Sequence, residues 1–420
     1  MRVVNVDDLS RPAAQTTPRP ECRPRLEVAL PPTAPGRCRM AQTSPFVPGL
    51  AGIPCAKSAI GMVDGSAGKL QYRGYPIEDL AKACSFEEVV YLLLLGELPT
   101  EAQLAPFRDE MVREREISFR AIDVFERLPE RAHPMTALTI GVSTLGSYYE
   151  GDHVEDLELS RAIAVRLTAK VPTLVAAWHR IRQGKRPVPP RADLGHAENF
   201  LYMLDGEVPD PMAAHVAEVA LILHAEHSMN ASTFAARVTG STLADPYAVV
   251  ASAVGALSGR LHGGANERVL DMLRAIPDPS PEGVRRWAED RLARHDKIMG
   301  FGHRVYKVKD PRADILQNLA TDLFAKLGRT PIYDLAVELE GQMEKLVGHK
   351  GIYPNVDFYS GIVYEKLGIP VDLFTPVFAV ARVSGWLAHL LEQLEDNRIF
   401  RPSQIWVGEK DRTFVPMAER

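Results

Sequence analysis

Several polar side chains in this sequence stand where packing alone does not call for them. His224, Glu226 and His227 close an apolar stretch that begins near Met212. Three residues apart, the two histidines are expected to share a helix face. They are candidate metal ligands, but no third ligand follows at a fitting spacing, and His-Ala-Glu-His matches neither common zinc-helix pattern. His224 reads as a core histidine, and His227 reads equally as a core residue or a substrate contact. His262 precedes Gly263-Gly264 and a helix start that Asn266 is expected to cap. The positive end of a helix dipole favours neutral imidazole there, which can donate to a developing enolate. The two glycines would admit a ligand to the backbone. The alternative is a loop with an incidental histidine.

Lys297 to Arg312 is a basic stretch containing two glycines, Gly300 and Gly302, that are expected to expose backbone N–H and C=O groups. Lys297, Arg304, Lys307, Lys309 and Arg312 outnumber Asp296 and Asp310, which suits phosphates or carboxylates, although a solvated face would look the same. Arg312 falls in the first turn of a helix opened by Asp310-Pro311, where backbone donors favour an anion. No strand precedes the glycines, so a dinucleotide fold is not indicated. Arg382 lies in an almost wholly apolar helix from Pro376 to about Glu395. A guanidinium there needs an anion, either a protein carboxylate or a ligand. Asp357 stands near a helix start beside aromatic residues and is either an N-cap or a catalytic carboxylate.

An aspartate base working with a neutral histidine donor is the pattern for removing a proton next to a carbonyl. Several arginines suggest a small polyanionic acid as substrate. The residues alone therefore point to an enzyme that makes or breaks a carbon bond through an enolate.

Positioning these groups falls to helices. Ser85-Phe86-Glu87-Glu88 is a capping box ahead of an apolar run that stops at Gly96, and Thr100-Glu101-Ala102-Gln103 opens another helix. Asp245-Pro246, Asp310-Pro311 and Thr375-Pro376 give further starts, and Gly328 and Gly368 give stops. Strand signals are scarce, with a short hairpin arm expected over 69–75. The fold class is all-α. Of 420 residues, 46% are hydrophobic and 25% charged, as in ordinary globular proteins. A net charge of −5 argues against nucleic-acid or anionic-membrane binding driven by global charge. No unbroken apolar run approaches the roughly 20 residues of a membrane span. The four cysteines lack CxxC spacing, so a reducing cytoplasm is expected. Residues 1–44 are rich in Pro and Arg and read as a disordered extension, either an over-extended gene start or a targeting arm.

Gly300-Phe301-Gly302-His303-Arg304-Val305-Tyr306-Lys307-Val308-Lys309-Asp310-Pro311-Arg312 resembles the signature of the citrate synthase family. Leu261 to Asn266, Pro354 to Gly361 and Arg401-Pro402-Ser403 match further blocks in the same order, over roughly residues 46–410. The resemblance implies a multi-helical fold with a large and a small domain around a cleft. Residues 45–265 and 371–420 would form the large domain and 266–370 the small one. It also implies a homodimer that condenses acetyl-CoA with oxaloacetate, with no cofactor and no metal. By the same resemblance Asp357, His262 and His303 would be catalytic. Arg73, His227, Arg312, Arg382 and, from a neighbouring subunit, Arg401 would hold oxaloacetate. Ile298, Met299, Gly300, Phe301 and Gly302 would meet the CoA adenine, and Lys350 would reach a CoA phosphate.

A relative in the family, 2-methylcitrate synthase, uses propionyl-CoA. The blocks His303-Arg304-Val305 and Asp357-Phe358-Tyr359-Ser360-Gly361 look more like those of the citrate enzymes. Residues 1–44 do not resemble the β-strand front end of the NADH-inhibited hexameric type. Two other classes compete: a metal-dependent hydrolase using His224, Glu226 and His227, and a non-catalytic helical scaffold.

Overall fold

The computed structural model describes residues 46–149, 154–303 and 305–420; the extension expected over residues 1–44 lies outside them. Helix dominates because its start and stop signals are satisfied locally. Ser85 Oγ accepts from Glu88 N while the Glu88 carboxylate accepts from Ser85 N, and the run ends at Gly96 with φ of 97°. Asp245 and Asp310 cap helices whose first residues are Pro246 and Pro311. The helices in the first half are α1 (Ile77–Ala83), α2 (Phe86–Leu95), α3 (Glu101–Glu114), α4 (Phe119–Glu126), α5 (Pro134–Gly146), α6 (Leu157–Ile181), α7 (His196–Asp205) and α8 (Pro211–His224). There follow α9 (Ala231–Gly240), α10 (Pro246–Leu257), α11 (Ala265–Arg274), α12 (Pro281–Ala293), α13 (Pro311–Leu327), α14 (Pro331–Val347), α15 (Val356–Lys366) and α16 (Phe374–Glu395).

The expected hairpin arm is present and larger than foreseen. Strands β1 (Gly61–Asp64), β2 (Lys69–Tyr72) and β3 (Tyr75–Pro76) form an antiparallel meander, with Met62 opposite Gln71 and Tyr72 opposite Tyr75. Burial alternates residue by residue along β1.

The chain divides into two units. One is Pro54–Trp406. The other comprises the terminal segments, of which residues 46–53 and 407–420 are described and hold single 3-10 turns at Pro48–Leu50 and Met417–Glu419. Within the larger unit α16 packs on α2, α6, α8, α9 and α10, and carries the fully buried Trp386. Helices α11 to α15 pack mainly on one another, α15 against α11 and α13 and α14 against α12. Among the described residues α16 is the one helix long and apolar enough to cross a membrane, and it is buried in the protein.

Four local expectations change. Asn266 lies inside α11, whose N-cap is Gly264 at φ of 68°, since a left-handed residue turns the chain there without a side-chain cap. Thr375-Pro376 does not open α16; the helix runs on from a 3-10 turn at Val371–Leu373, and Thr375 Oγ1 donates to Glu267 Oε1 at 2.7 Å. Asp357 is not an N-cap, because Asn355 takes that place. His227 does not share a helix face with His224, because α8 ends at His224 and the chain turns away, reaching φ of 51° at Ser228.

Two core histidines give this packing a pH signature. Burial holds both His196 and His224 down to about 3, from 6.5. His224 packs edge-on against Phe378, its Nδ1 2.7 Å from Ala220 O. Between pH 6.5 and about 3 the unfolded chain binds protons at these sites that the native chain does not, so stability falls as pH falls through that window. We predict that lowering pH from 7 to 5 costs about 2 kcal/mol per histidine in unfolding free energy. Replacing either with a neutral residue of similar size should reduce that slope in denaturant titrations.

Candidate active site

His262 sits in a tight turn between α10 and α11, its N–H bonded to Gly259 O at 2.8 Å. A Cβ at Gly263 would come within 2.2 Å of Leu257 O, so glycine is required for the turn. Ser232 N donates to His262 Nε2 at 3.2 Å, and Ser232 Oγ lies 2.8 Å from the same nitrogen. Nε2 therefore carries the lone pair, and the hydrogen falls to Nδ1. Trp386 Nε1 on α16 donates to that serine oxygen at 3.1 Å.

His303 has the opposite tautomer. Its Nδ1 accepts from Val305 N at 3.1 Å and Tyr306 N at 3.2 Å, which leaves the hydrogen on Nε2. Its ring stands 5.4 Å from that of His227 and 4.7 Å from that of Tyr306, and His227 Nε2 lies 3.3 Å from the Tyr306 hydroxyl. Burial lowers His262 and His303 to about 4 and His227 well below 6.5. All three are neutral imidazoles at neutral pH.

Asp357 is the second residue of α15, and the N-cap Asn355 accepts its N–H at 3.0 Å. Its carboxylate accepts no hydrogen bond among the described residues. Burial raises its pKa, while Arg312, Arg268 and Arg382 pull it back. Its side chain is half-buried, so it is recessed among protein groups yet reachable.

The two buried arginines among the expected site residues differ. Asp310 holds Arg312 directly, with Oδ1 accepting from Nε at 3.0 Å and Oδ2 from Nη2 at 2.8 Å, which leaves Nη1 unpartnered among the described residues. Arg382, 1% exposed, donates Nε to His224 O at 2.7 Å and lies over the Phe378 ring. No carboxylate among the described residues touches it. Burial lowers its pKa to about 10, still cationic at neutral pH. The charge of Arg382 acts on His262, His227 and Asp357, and that of Arg312 on His303, His227 and Asp357. Six of the expected residues thus share one electrostatic environment.

The others stand apart. Arg73, at φ of 49°, donates Nη2 to Leu93 O in the last turn of α2 at 2.8 Å, a helix-end contact. Arg401 is exposed beyond α16, and Lys350 is exposed in a 3-10 turn. The segment Ile298 to Gly302 departs from its expectation of open backbone groups. Gly302 N bonds Tyr353 O, Asn355 N bonds Gly300 O, and Asn355 Nδ2 bonds Gly302 O, each at 2.9 Å. Those groups tie the loop to the start of α15, and Phe301 bridges Pro354. Ile298 is buried, while Met299 and Phe301 are half-buried.

His224, Glu226 and His227 do not converge as metal ligands. They turn to Ala220 O, His389 and Tyr306 respectively, and no cluster of three metal-binding side chains occurs among the described residues. Ser232, Tyr306 and Trp386 escaped the sequence reading as parts of the site. Asn355 carried a signal, an Asx residue two before the acid at a helix start.

The sequence profile "Citrate synthase, C-terminal domain" matches residues 49–403. A citrate synthase of Synechocystis is 57% identical over 381 residues, covering 91% of this chain and 96% of its own. The chain belongs to the citrate synthase family. A 2-methylcitrate synthase of Mycobacterium tuberculosis is 41% identical over 364 residues, covering 87% of this chain and 91% of its own. The ternary complex of citrate synthase from Thermoplasma acidophilum with carboxymethyl coenzyme A and oxaloacetate superposes with a TM-score of 0.81 at 33% identity, covering 88% of this chain and 98% of that one. The all-α fold and the family resemblance both hold.

Gly300 and Gly302 separate packing from backbone strain. Both have positive φ, 81° and 78°, but a Cβ at Gly300 would come within 2.8 Å of Phe358 and 2.9 Å of Val269, whereas Gly302 has open space. We predict that Gly302→Ala costs about 1 kcal/mol and Gly300→Ala about 2–4 kcal/mol of stability in urea unfolding.

Proposed function

We propose that this protein condenses acetyl-CoA with oxaloacetate and water to give citrate and CoA. The observation that carries the reading is the pairing of a raised, unbonded carboxylate at Asp357 with two neutral imidazoles of opposite tautomer, all beside arginine charges. Asp357 takes a proton from the acetyl methyl group. His262 donates from Nδ1 to the thioester oxygen as the enol forms. A thioester α-proton is too weakly acidic for a lone carboxylate, so acid and base must act together.

The enol carbon then attacks the oxaloacetate carbonyl carbon as the enol O–H returns its proton to His262 Nδ1, and His303 supplies the proton from Nε2 to the new alkoxide. Water hydrolyses the thioester of the resulting citryl-CoA to release CoA. Arg382, Arg312 through its free Nη1, and His227 hold the oxaloacetate carboxylates. Arg401 of a second copy in a homodimer completes that set. Arg73 joins it only by turning from Leu93. Residues 298–302 offer the CoA adenine what backbone they do not spend on residues 353–355, and Lys350 offers a phosphate contact. The 266–370 segment acts as a small domain closing over the cleft, which excludes water from the thioester and strengthens the charges. The reaction needs no cofactor and no metal, and we place the enzyme in the cytoplasm.

We expect Asp357→Asn and His262→Ala to lower kcat by at least about 100-fold in a colorimetric assay of CoA thiol release. Oxaloacetate affinity should stay within a few-fold by calorimetry. Wild-type turnover in either variant removes the assignment.

The same assay separates acetyl-CoA from propionyl-CoA. One methylene is worth about 1–3 kcal/mol, and the citrate-type blocks at 303–305 and 357–361, together with the more distant methylcitrate relative, favour acetyl-CoA. The expected ratio of kcat/KM is about 10-fold or more toward acetyl-CoA. A ratio below one establishes the methylcitrate activity.

A further inference from the structure

Glu226 takes no part in these proton transfers, yet its carboxylate is wholly buried one residue from His227. Oε1 accepts from His389 Nε2 at 3.1 Å, and Oε2 has no partner among the described residues. The imidazole orientation is set from behind, since Arg237 Nε donates to His389 Nδ1 at 3.1 Å. Arg237 is in turn engaged by Glu392 and by Gln393 Oε1. The carboxylate is also wedged between two backbones. A Cβ at Gly61 would lie 2.7 Å from Oε1, and one at Gly385 would lie 2.7 Å from Oε2.

Gly385 is three residues beyond Arg382 on α16, and Arg382 Nε bonds His224 O, two residues before Glu226. The acid and the guanidinium are therefore neighbours held apart. Neither bonds the other, although each has unused capacity. Asp310 shows the alternative, a carboxylate that occupies Nε and Nη2 of its arginine. Of the charges around Arg382, that of Glu226 acts most strongly to stabilise the cation.

We infer that Glu226 is the resident counter-charge of Arg382, balancing the guanidinium through space so that its terminal N–H groups stay open for a substrate carboxylate. The inference rests on the oxaloacetate reading above and makes Glu226 a positioning residue. It has a reciprocal consequence. The charge that stabilises the empty site opposes the incoming dianion, so its removal must weaken the fold and strengthen the ligand. A role in shape alone weakens both.

The test compares wild type with Glu226→Gln and Glu226→Asp by thermal unfolding and by calorimetric titration with oxaloacetate. Glu226→Gln should melt several degrees lower without ligand, yet bind oxaloacetate at least about three-fold more tightly. Glu226→Asp, which keeps the charge, should bind within about three-fold of wild type. Weaker binding by Glu226→Gln overturns the inference. So does a loss of about ten-fold or more in Glu226→Asp, which carries the test independently of how stable the Gln variant is. If wild type itself does not bind oxaloacetate, the substrate reading falls and takes this inference with it; failure in the variants alone leaves that reading intact.

Discussion

Arg382 is 1% exposed on a helix whose other buried residues are almost all apolar, and a charge in that position has to be balanced. Leaving a buried guanidinium unanswered costs several kcal/mol, while a direct ion pair would consume the donors that make it useful. The protein resolves this by satisfying Nε with a backbone carbonyl, His224 O, and leaving the terminal nitrogens without a carboxylate among the described residues. The rest of the site follows from that choice. Burial makes His227 and His262 resist protonation, the permanent cation adds to that effect, and Asp357 is kept from rising as far as its burial alone would push it.

Asp310, buried, and Asp357, half-buried, show how environment divides labour between identical side chains. Asp310 sits against Arg312, which with its backbone N–H holds the carboxylate below its ordinary range despite burial. The Asp357 carboxylate accepts no hydrogen bond among the described residues, and burial raises it. One is spent on structure and the other is a carboxyl whose affinity for a proton has been increased. The histidines divide in the same manner. Backbone N–H groups reach Nε2 of His262 but Nδ1 of His303, so the two rings present their hydrogens from different atoms.

Much of this was legible because it is local. A capping box at Ser85, a Pro after Asp245, a basic stretch ending in Asp310-Pro311-Arg312 and a charge in an apolar helix are all short-range patterns, and each predicted an element or a site residue. What could not be read was set by tertiary contact. Ser232 lies 30 residues from the histidine it orients, and nothing in its own surroundings distinguishes it from other serines. The glycines at 300 and 302 suggested an open backbone. The structure spends most of their polar groups on residues 353–355, because the loop must be fastened to the helix that carries Asp357. Thr375 looked like a cap and instead bonds Glu267 across two elements. Propensity located the helices, and packing between distant segments decided their first residues.

The fastening of that loop also constrains how the site can move. Residues 300–302 are joined to 353–355 by three hydrogen bonds of 2.9 Å, and Phe301 packs against Phe358 with ring centroids 4.8 Å apart. His303 and Asp357 are therefore carried by one rigid piece. At its other end the same loop meets the hairpin, where Lys307 N bonds Gly65 O at 2.8 Å and a Cβ at Gly65 would collide with Val305 O. That single backbone bond is far weaker than the cluster at 300–302. A shift of α11 to α15 relative to α16 would leave that piece intact. The placement of His303 and Asp357 relative to each other would survive it, while their distance from Arg382 and His227 would not. Arg312, in the first turn of α13, would move with them, so such a shift would also separate its guanidinium from that of Arg382 on α16.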